Sequence, residues 1–385
     1  MQKSLRLLSK LTALTLVLGA VSCTQPSRNQ SQADSDQPQA EATAEGGPQV
    51  VASYSVLCDL TEQIAQATVD VTCLIGAGQD PHAYSATPAD RRAIEEADLV
   101  LYGGYGFEPE IIQMVESTDT SAPKVAVSEV AVSAPLMGEA HDHHGHHAEG
   151  EAHSDAEAHS EHDHHAEGED HAEHDHHAEG EAHDEGEAHA EEEMVPDPHV
   201  WHDAENGIAM VRAVQSQLSE LSPENAALYD TNAEALITQI EQLDTWIQAQ
   251  VDTIPTSSRT LISTHDALGY YADAYGLEIE PVLDSFSTEA RPSAADIKSL
   301  TEVVASKNVP GIFVESTSNP GLIETVSRET DIAVSQDPIY ADGLGDSESP
   351  AATYQGMLVT NTCNIVNGLG GVCDQTAAQA LLPSQ

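Results

Sequence analysis

The chain is predicted to be an α/β protein of two lobes, each a parallel sheet flanked by helices, joined by one long rigid helix. Short apolar runs alternate with helical patterns in the stretch after residue 49, and the same alternation returns after residue 255. Between them lies one extended helical periodicity that no ordinary loop would carry.

In the first lobe, residues 50–55, 69–75, 98–102 and 124–127 read as strands, separated by helices over 57–68, 87–97 and 107–117. The helix at 87 is well signed, because Thr87 can cap it, Pro88 suits its first position and Asp90 completes a capping-box spacing. The linker is expected over 222–254, with Ser222 as cap and Pro223 in the first turn. Leu236, Ile240, Leu243, Ile247 and Val251 supply its apolar stripe. From 223 to 252 it would reach roughly 45 Å at 1.5 Å per residue. In the second lobe, over 255–385, strands are expected at 260–264, 278–282, 311–314 and 332–334, and helices at 293–307, 321–329 and 350–367.

Ahead of the first lobe, which spans 49–221, the pattern changes. Lys3, Arg6 and Lys10 precede an apolar run over 11–19, and Ala20, Val21 and Ser22 lead into Cys23. That is an export signal, too short to span a bilayer. Ala-Val-Ser-Cys also resembles a bacterial lipobox, with Ala20 where Leu is commonest. Cys23 is then the expected lipidation site, with plain cleavage near residue 22 as the alternative. Residues 24–48, rich in Gln, Ser, Ala and Asp, read as a flexible tether in an exported, periplasmic protein.

Beyond Cys23 the cysteines are Cys58, Cys73, Cys363 and Cys373, an even number that an oxidising compartment permits to pair. Of the three possible pairings, Cys58 with Cys73 and Cys363 with Cys373 are favoured, since the latter closes a short loop and the former joins neighbouring elements. Free buried thiols are the alternative.

Residues 139–193 hold 16 of the 20 histidines among 21 Asp and Glu, with no Lys or Arg. A unit HDHHAEGE runs from His162 through His164 and His165, and repeats from His174 through His176 and His177. A looser copy carries His143, His144, His146 and His147. With so little apolar surface the segment is expected to be a solvated loop that binds metal weakly. Imidazole favours zinc, copper, nickel and iron. An acidic solubilising linker is the plainer reading. Outside this segment 44 acidic residues still face 13 basic ones. Nucleic acid is therefore excluded as a partner, because it requires basic patches, while a cation is favoured.

Four histidines lie outside the loop. His82, in Gly78-Gln79-Asp80-Pro81-His82-Ala83-Tyr84, follows a strand and so stands at the carboxyl edge of a parallel sheet, where ligands bind. His199 sits in Asp197-Pro198-His199-Val200-Trp201 before a helix that Asp203 can cap, and His265 follows the strand at 260–264. Three neutral imidazoles are a recurrent zinc set with a fourth tetrahedral position for carboxylate or water. Asp342, in Tyr340-Ala341-Asp342-Gly343-Leu344, is the leading candidate for it, with a loop-capping role as the alternative. Asp80 and Asp197 are each placed to accept the second ring N–H of the following histidine or else to form the turn. Glu315 is expected to support the site or the contact between lobes. His202, three residues after His199, could turn toward the same side of a helix start, but it is expected to be exposed.

Taken together, G-x-D-P-H-x-Y, D-P-H-V-W, T-H-D-A-x-x-Y-x-x-x-x-Y-G-L from Thr264 to Leu277, and D-P-I-Y-A-D-G-L-G resemble the zinc-binding solute receptors of bacterial ABC transporters, the ZnuA-type family. The similarity covers nearly all of 49–385. It implies a metal buried between two lobes, a monomer, and delivery to a membrane permease driven by a cytoplasmic ATPase. Manganese and iron receptors of this family place a carboxylate where His265 stands, so the resemblance implies Zn(II). It also implies that Asp342 matches an aspartate several relatives use, though not all zinc members do. A His-rich loop at this position is typical of the zinc branch. The competing readings are a manganese or iron receptor, a periplasmic zinc store, and a metal-dependent hydrolase. The hydrolase lacks H-E-x-x-H or a comparable pairing.

Overall fold

A computed structural model describes residues 46–139, 194–283, 285–289, 293–307 and 309–382. The expected export signal, Cys23, most of the tether and the histidines of the loop lie outside the described residues.

The first half alternates strictly. Strand β1 (Gln49–Tyr54) leads into α1 (Ser55–Ala65) and a 3-10 turn at Gln66–Thr68, then β2 (Asp70–Ile75), α2 (Pro88–Glu96), β3 (Leu99–Tyr102), α3 (Pro109–Ser117), β4 (Lys124–Ala126) and α4 (Val127–Ala131). The four strands form one parallel sheet in the order β2-β1-β3-β4. Every residue of β1 after Gln49 is buried, as a strand covered on both faces requires. Thr87 caps α2 as expected: its hydroxyl accepts from Ala89 and Asp90 N–H, and Asp90 reaches back to Thr87 N–H. A short antiparallel hairpin, β5 (Met137–Glu139) with β6 (Met194–Pro196), brackets residues 140–193.

A 3-10 turn (Val200–His202) then opens α5 (Ala204–Leu221), where Asp203 accepts from Glu205 N–H. The long helix α6 (Ala226–Val251) has 26 residues and spans about 39 Å. It begins later than the sequence suggests, and Ser222 makes no side-chain cap. Asn225 N–H instead donates to the Ser222 carbonyl, which tightens Pro223–Asn225 into a 3-10 turn. The predicted stripe is correct, for Leu236, Ile240, Leu243, Ile247 and Val251 are all buried. Toward its start α6 is tied to the first half, where Asn232 donates to the Ile64 carbonyl. Toward its end it is tied to the second, where Asp244 accepts from Tyr275 and Trp246 donates to the Asp374 carbonyl.

The second half runs through β7 (Thr260–His265), α7 (Gly269–Tyr275), β8 (Glu278–Leu283), α8 (Ala294–Ser306), α9 (Pro320–Thr330), α10 (Tyr354–Gly368) and α11 (Gln375–Gln379). β7 and β8 pair in parallel. The strands expected at 311–314 and 332–334 occur as isolated parallel bridges, Ile312 to Val334 and Glu315 to Ile339. Phe313 N–H donates to the Ile262 carbonyl, so this segment flanks β7 on the side away from β8. The order thus repeats that of the first sheet. Pro310 and Pro338, which bring no N–H, limit these ladders. Disulfides join Cys58 to Cys73 and Cys363 to Cys373, the favoured pairing. No helix among the described residues is long and apolar enough to cross a membrane.

Candidate metal centre

His82 lies in the loop after β2, His199 immediately before the turn at Val200–His202, His265 at the end of β7, and Asp342 beyond the Glu315–Ile339 bridge. The parallel sheets therefore present donors from their carboxyl edges. His199, His265 and Asp342 have no exposed surface and His82 is 5 % exposed. One donor atom from each lies within 4.8 Å of the others. His82 Nε2 is 3.3 Å from His199 Nε2, and Asp342 Oδ1 is 3.4, 3.5 and 3.1 Å from Nε2 of His82, His199 and His265. A tetrahedral ion with bonds of about 2.0–2.1 Å has donor–donor edges of about 3.3–3.4 Å. These four separations lie near that figure. Asp342 Oδ1 and His265 Nε2 are buried without hydrogen-bond partners, as donors aimed at an ion would be.

The rings are oriented from behind. His199 Nδ1–H donates to Asp197 Oδ1 at 2.9 Å, and His265 Nδ1–H donates to Glu315 Oε2 at 2.6 Å. Each bond leaves an Nε2 lone pair facing the centre. Glu315 Oε1 also accepts from the backbone N–H of Thr264 and His265. Asp80 behaves differently. Its Oδ1 accepts the backbone N–H of His82 at 2.9 Å, and its Oδ2 accepts from Thr288. Of the two roles considered for it, the structure shows the turn rather than the ring.

His202 corrects an expectation. It is 1 % exposed, and Nε2–H donates to the Ala341 carbonyl at 2.8 Å, next to Asp342. Burial lowers its pKa to about 3, so it is neutral. Spacing from His199 allowed it to turn toward the same side, but its partner, 139 residues away, was not legible. Thr317, whose hydroxyl donates to Asp342 Oδ2 at 2.5 Å, was likewise not singled out. Phe107 packs edge-on against His82 and His199, with ring centroids 5.0 and 5.6 Å away, and excludes water from that side. Tyr270 donates to the Asp197 carbonyl and accepts from Leu136 N–H, which anchors the D-P-H segment to α7. Gly269 leaves room there, since a Cβ would stand only 3.0 Å from Asp197 Oδ2.

Charge is shared unevenly. Burial opposes protonation of His265, but the Glu315 and Asp342 carboxylates outweigh it and hold its pKa well above the ordinary value. Burial likewise opposes charge on His199, and hydrogen bonds to Asp197 and Asp342 reverse the balance upward. Burial prevails at His82, whose pKa is lowered. Asp342 is held well below the usual carboxylate range because the imidazoles around it outweigh its own burial. Asp342 thus keeps its negative charge among the imidazoles, which favours a cation at their centre.

The family described as the periplasmic component A of the zinc-uptake complex, ZnuA, matches residues 50–368. The zinc-binding protein TroA of Treponema pallidum is 28 % identical over 334 residues, which cover 86 % of this chain and 91 % of TroA. The manganese-binding lipoprotein MntA of Halalkalibacterium halodurans is 28 % identical over 323 residues, covering 84 % and 89 %. A solved structure of TroA superposes with a TM-score of 0.67 at 27 % identity, covering 84 % of this chain and 99 % of that one. The chain belongs to the ZnuA family, the metal-receptor components of ABC transporters.

Proposed function

We propose that the protein is a high-affinity Zn(II) receptor that delivers the ion to an ABC permease for uptake. The observation that supports this best is the donor set, three buried imidazoles and one buried carboxylate whose donor atoms converge. Relatives are named for both zinc and manganese, so similarity leaves the metal open. The chemistry favours zinc: manganese lies at the weak end of the divalent series and suits oxygen donors in octahedral sets. His82, His199, His265 and Asp342 are the proposed ligands, with Asp197 and Glu315 orienting the imidazoles. Residues 139–193 would gather zinc weakly near the receptor or sense its abundance, and Cys23 would anchor the mature chain to a membrane.

Competition titration of the mature protein with zinc and manganese tests the metal, and His265→Glu should narrow the preference for zinc. Equal affinities in the unmutated protein would refute zinc and leave a manganese receptor. A zinc store is separated by stoichiometry. Glu139 and Met194 are partners in the β5–β6 hairpin, so 140–193 can be replaced by a short turn. The shortened protein should keep one tight site while losing weak ones. Loss of the tight site would show that the loop supplies primary ligands.

A further inference from the structure

Asp342 meets the centre through one oxygen and the rest of the protein through the other. Oδ1 lies 3.1 to 3.5 Å from the three imidazole Nε2 atoms and has no hydrogen-bond partner. Oδ2 accepts from the Thr317 hydroxyl at 2.5 Å. Asp342 has no exposed surface, so bulk water does not compete for either oxygen.

Thr317 is held in place from both directions along the chain. Glu315, two residues before it, bridges to Ile339, and Ser316 N–H donates to the Ile339 carbonyl. Asn319, two residues after it, caps α9 by accepting from Gly321 N–H, with Pro320 in the first turn. The hydroxyl is thus carried by a pinned segment. Glu315 is engaged still more fully, for Oε1 accepts from Thr264 and His265 N–H, and Oε2 accepts from His265 Nδ1–H and the Ser318 hydroxyl. Of these two carboxylates, a single oxygen, Asp342 Oδ1, is left for an ion.

Coordination number decides which ion profits. Zinc is satisfied by four donors in a tetrahedron, whereas manganese suits octahedral sets rich in oxygen. A carboxylate free to bind through both oxygens adds a fifth donor and favours the second kind. We propose that the Thr317 hydroxyl confines Asp342 to one ligating oxygen and is thereby a specificity-determining residue that favours zinc over larger, oxygen-seeking divalent cations. The inference rests on the zinc-receptor reading and the four ligands named for it. Thr317 touches no ion; it acts through Asp342 and is a positioning residue. Its bond to a fully buried carboxylate is charge-assisted and so of the stronger kind, and it must be given up before Asp342 can offer both oxygens.

The test is competition titration of the full-length protein with ZnCl2 and MnCl2, together with visible absorption after one equivalent of CoCl2, in Thr317→Ala, Thr317→Val and Thr317→Ser. Ala and Val remove the hydroxyl from a half-buried loop position, Ala without adding a methyl group, and Ser keeps it. The ratio of zinc to manganese affinity should fall by about tenfold or more in Ala and Val and stay within about twofold of wild type in Ser. The Co(II) bands, intense in four-coordinate sites, should weaken in Ala and Val as the coordination number rises and remain strong in Ser. An unchanged ratio and spectrum in Ala and Val would overturn the proposal. Equal weakening of both metals with an unchanged spectrum would overturn it too, leaving Thr317 a structural prop alone. A wild type that does not distinguish zinc from manganese would remove the zinc reading itself, a failure visible before any variant is compared.

Discussion

At Asp80-Pro81-His82 the aspartate reaches the backbone N–H of the histidine, whereas at Asp197-Pro198-His199 one oxygen takes both the backbone N–H and the ring Nδ1–H, each at 2.9 Å. The turn is common to both and local, an aspartate side chain bonding two residues on. What else each carboxylate does is decided from afar. Thr288, 208 residues away, takes the remaining oxygen of Asp80. Asp197 is 1 % exposed, lies against Gly269 and has its carbonyl held by Tyr270. Identical triplets thus yield one imidazole braced by a carboxylate and one that is not. The electrostatics follow, with the pKa of His199 raised and that of His82 lowered.

The largest effect should ignore this difference. If both histidines are ligands, His82→Ala and His199→Ala should each weaken zinc binding by about 3 kcal/mol or more, over a hundredfold, because four donors share roughly 10–16 kcal/mol. Chelator competition measures it. Wild-type affinity in His82→Ala would leave His199 alone as a donor from the two triplets.

The next effect should expose the difference. Asp197→Asn is expected to weaken zinc binding by about 10- to 100-fold, the usual range when the group behind a ligating imidazole is lost. A loss below threefold would mean the Asp197 bond does not orient His199.

Protons sharpen the contrast. Metal binds neutral imidazole, so a histidine with a raised pKa releases its proton to the buffer when the ion binds, and one with a lowered pKa has none to release. His265 and His199 have raised values, so zinc binding near neutral pH should release protons, and affinity should climb as pH rises through those values. Calorimetry in buffers of different ionisation enthalpy counts them. Asp197→Asn should reduce the release, whereas Asp80→Asn should leave it as in wild type; equal release in all three proteins would contradict the assignment.

The smallest effect is reserved for Asp80→Asn, expected to weaken zinc binding at equilibrium by no more than about threefold, since the amide oxygen can still accept the His82 N–H. A loss matching that of Asp197→Asn would place Asp80 behind the imidazole when metal is bound and dissolve the comparison.

Sequence alone determined whatever depends on neighbours a few residues apart. Alternating apolar runs foretold the four strands of the first sheet, and Thr87, Pro88 and Asp90 foretold their capping box. The stripe from Leu236 to Val251 foretold the buried face of α6, and the motifs carrying His82, His199, His265 and Asp342 marked four residues whose donor atoms converge. Tertiary structure alone decided what depends on a distant partner. It buried His202 against the Ala341 carbonyl, where exposure was expected. It also reduced the strands at 311–314 and 332–334 to single bridges, and gave Glu315 to His265 across 50 residues. Periodicity and caps are written in bonds between residues i and i+4 or nearer, which survive in any reading of the chain. The fate of a second carboxylate oxygen or a buried imidazole depends on which chain segment folds over it, and that is fixed only when the two sheets come together.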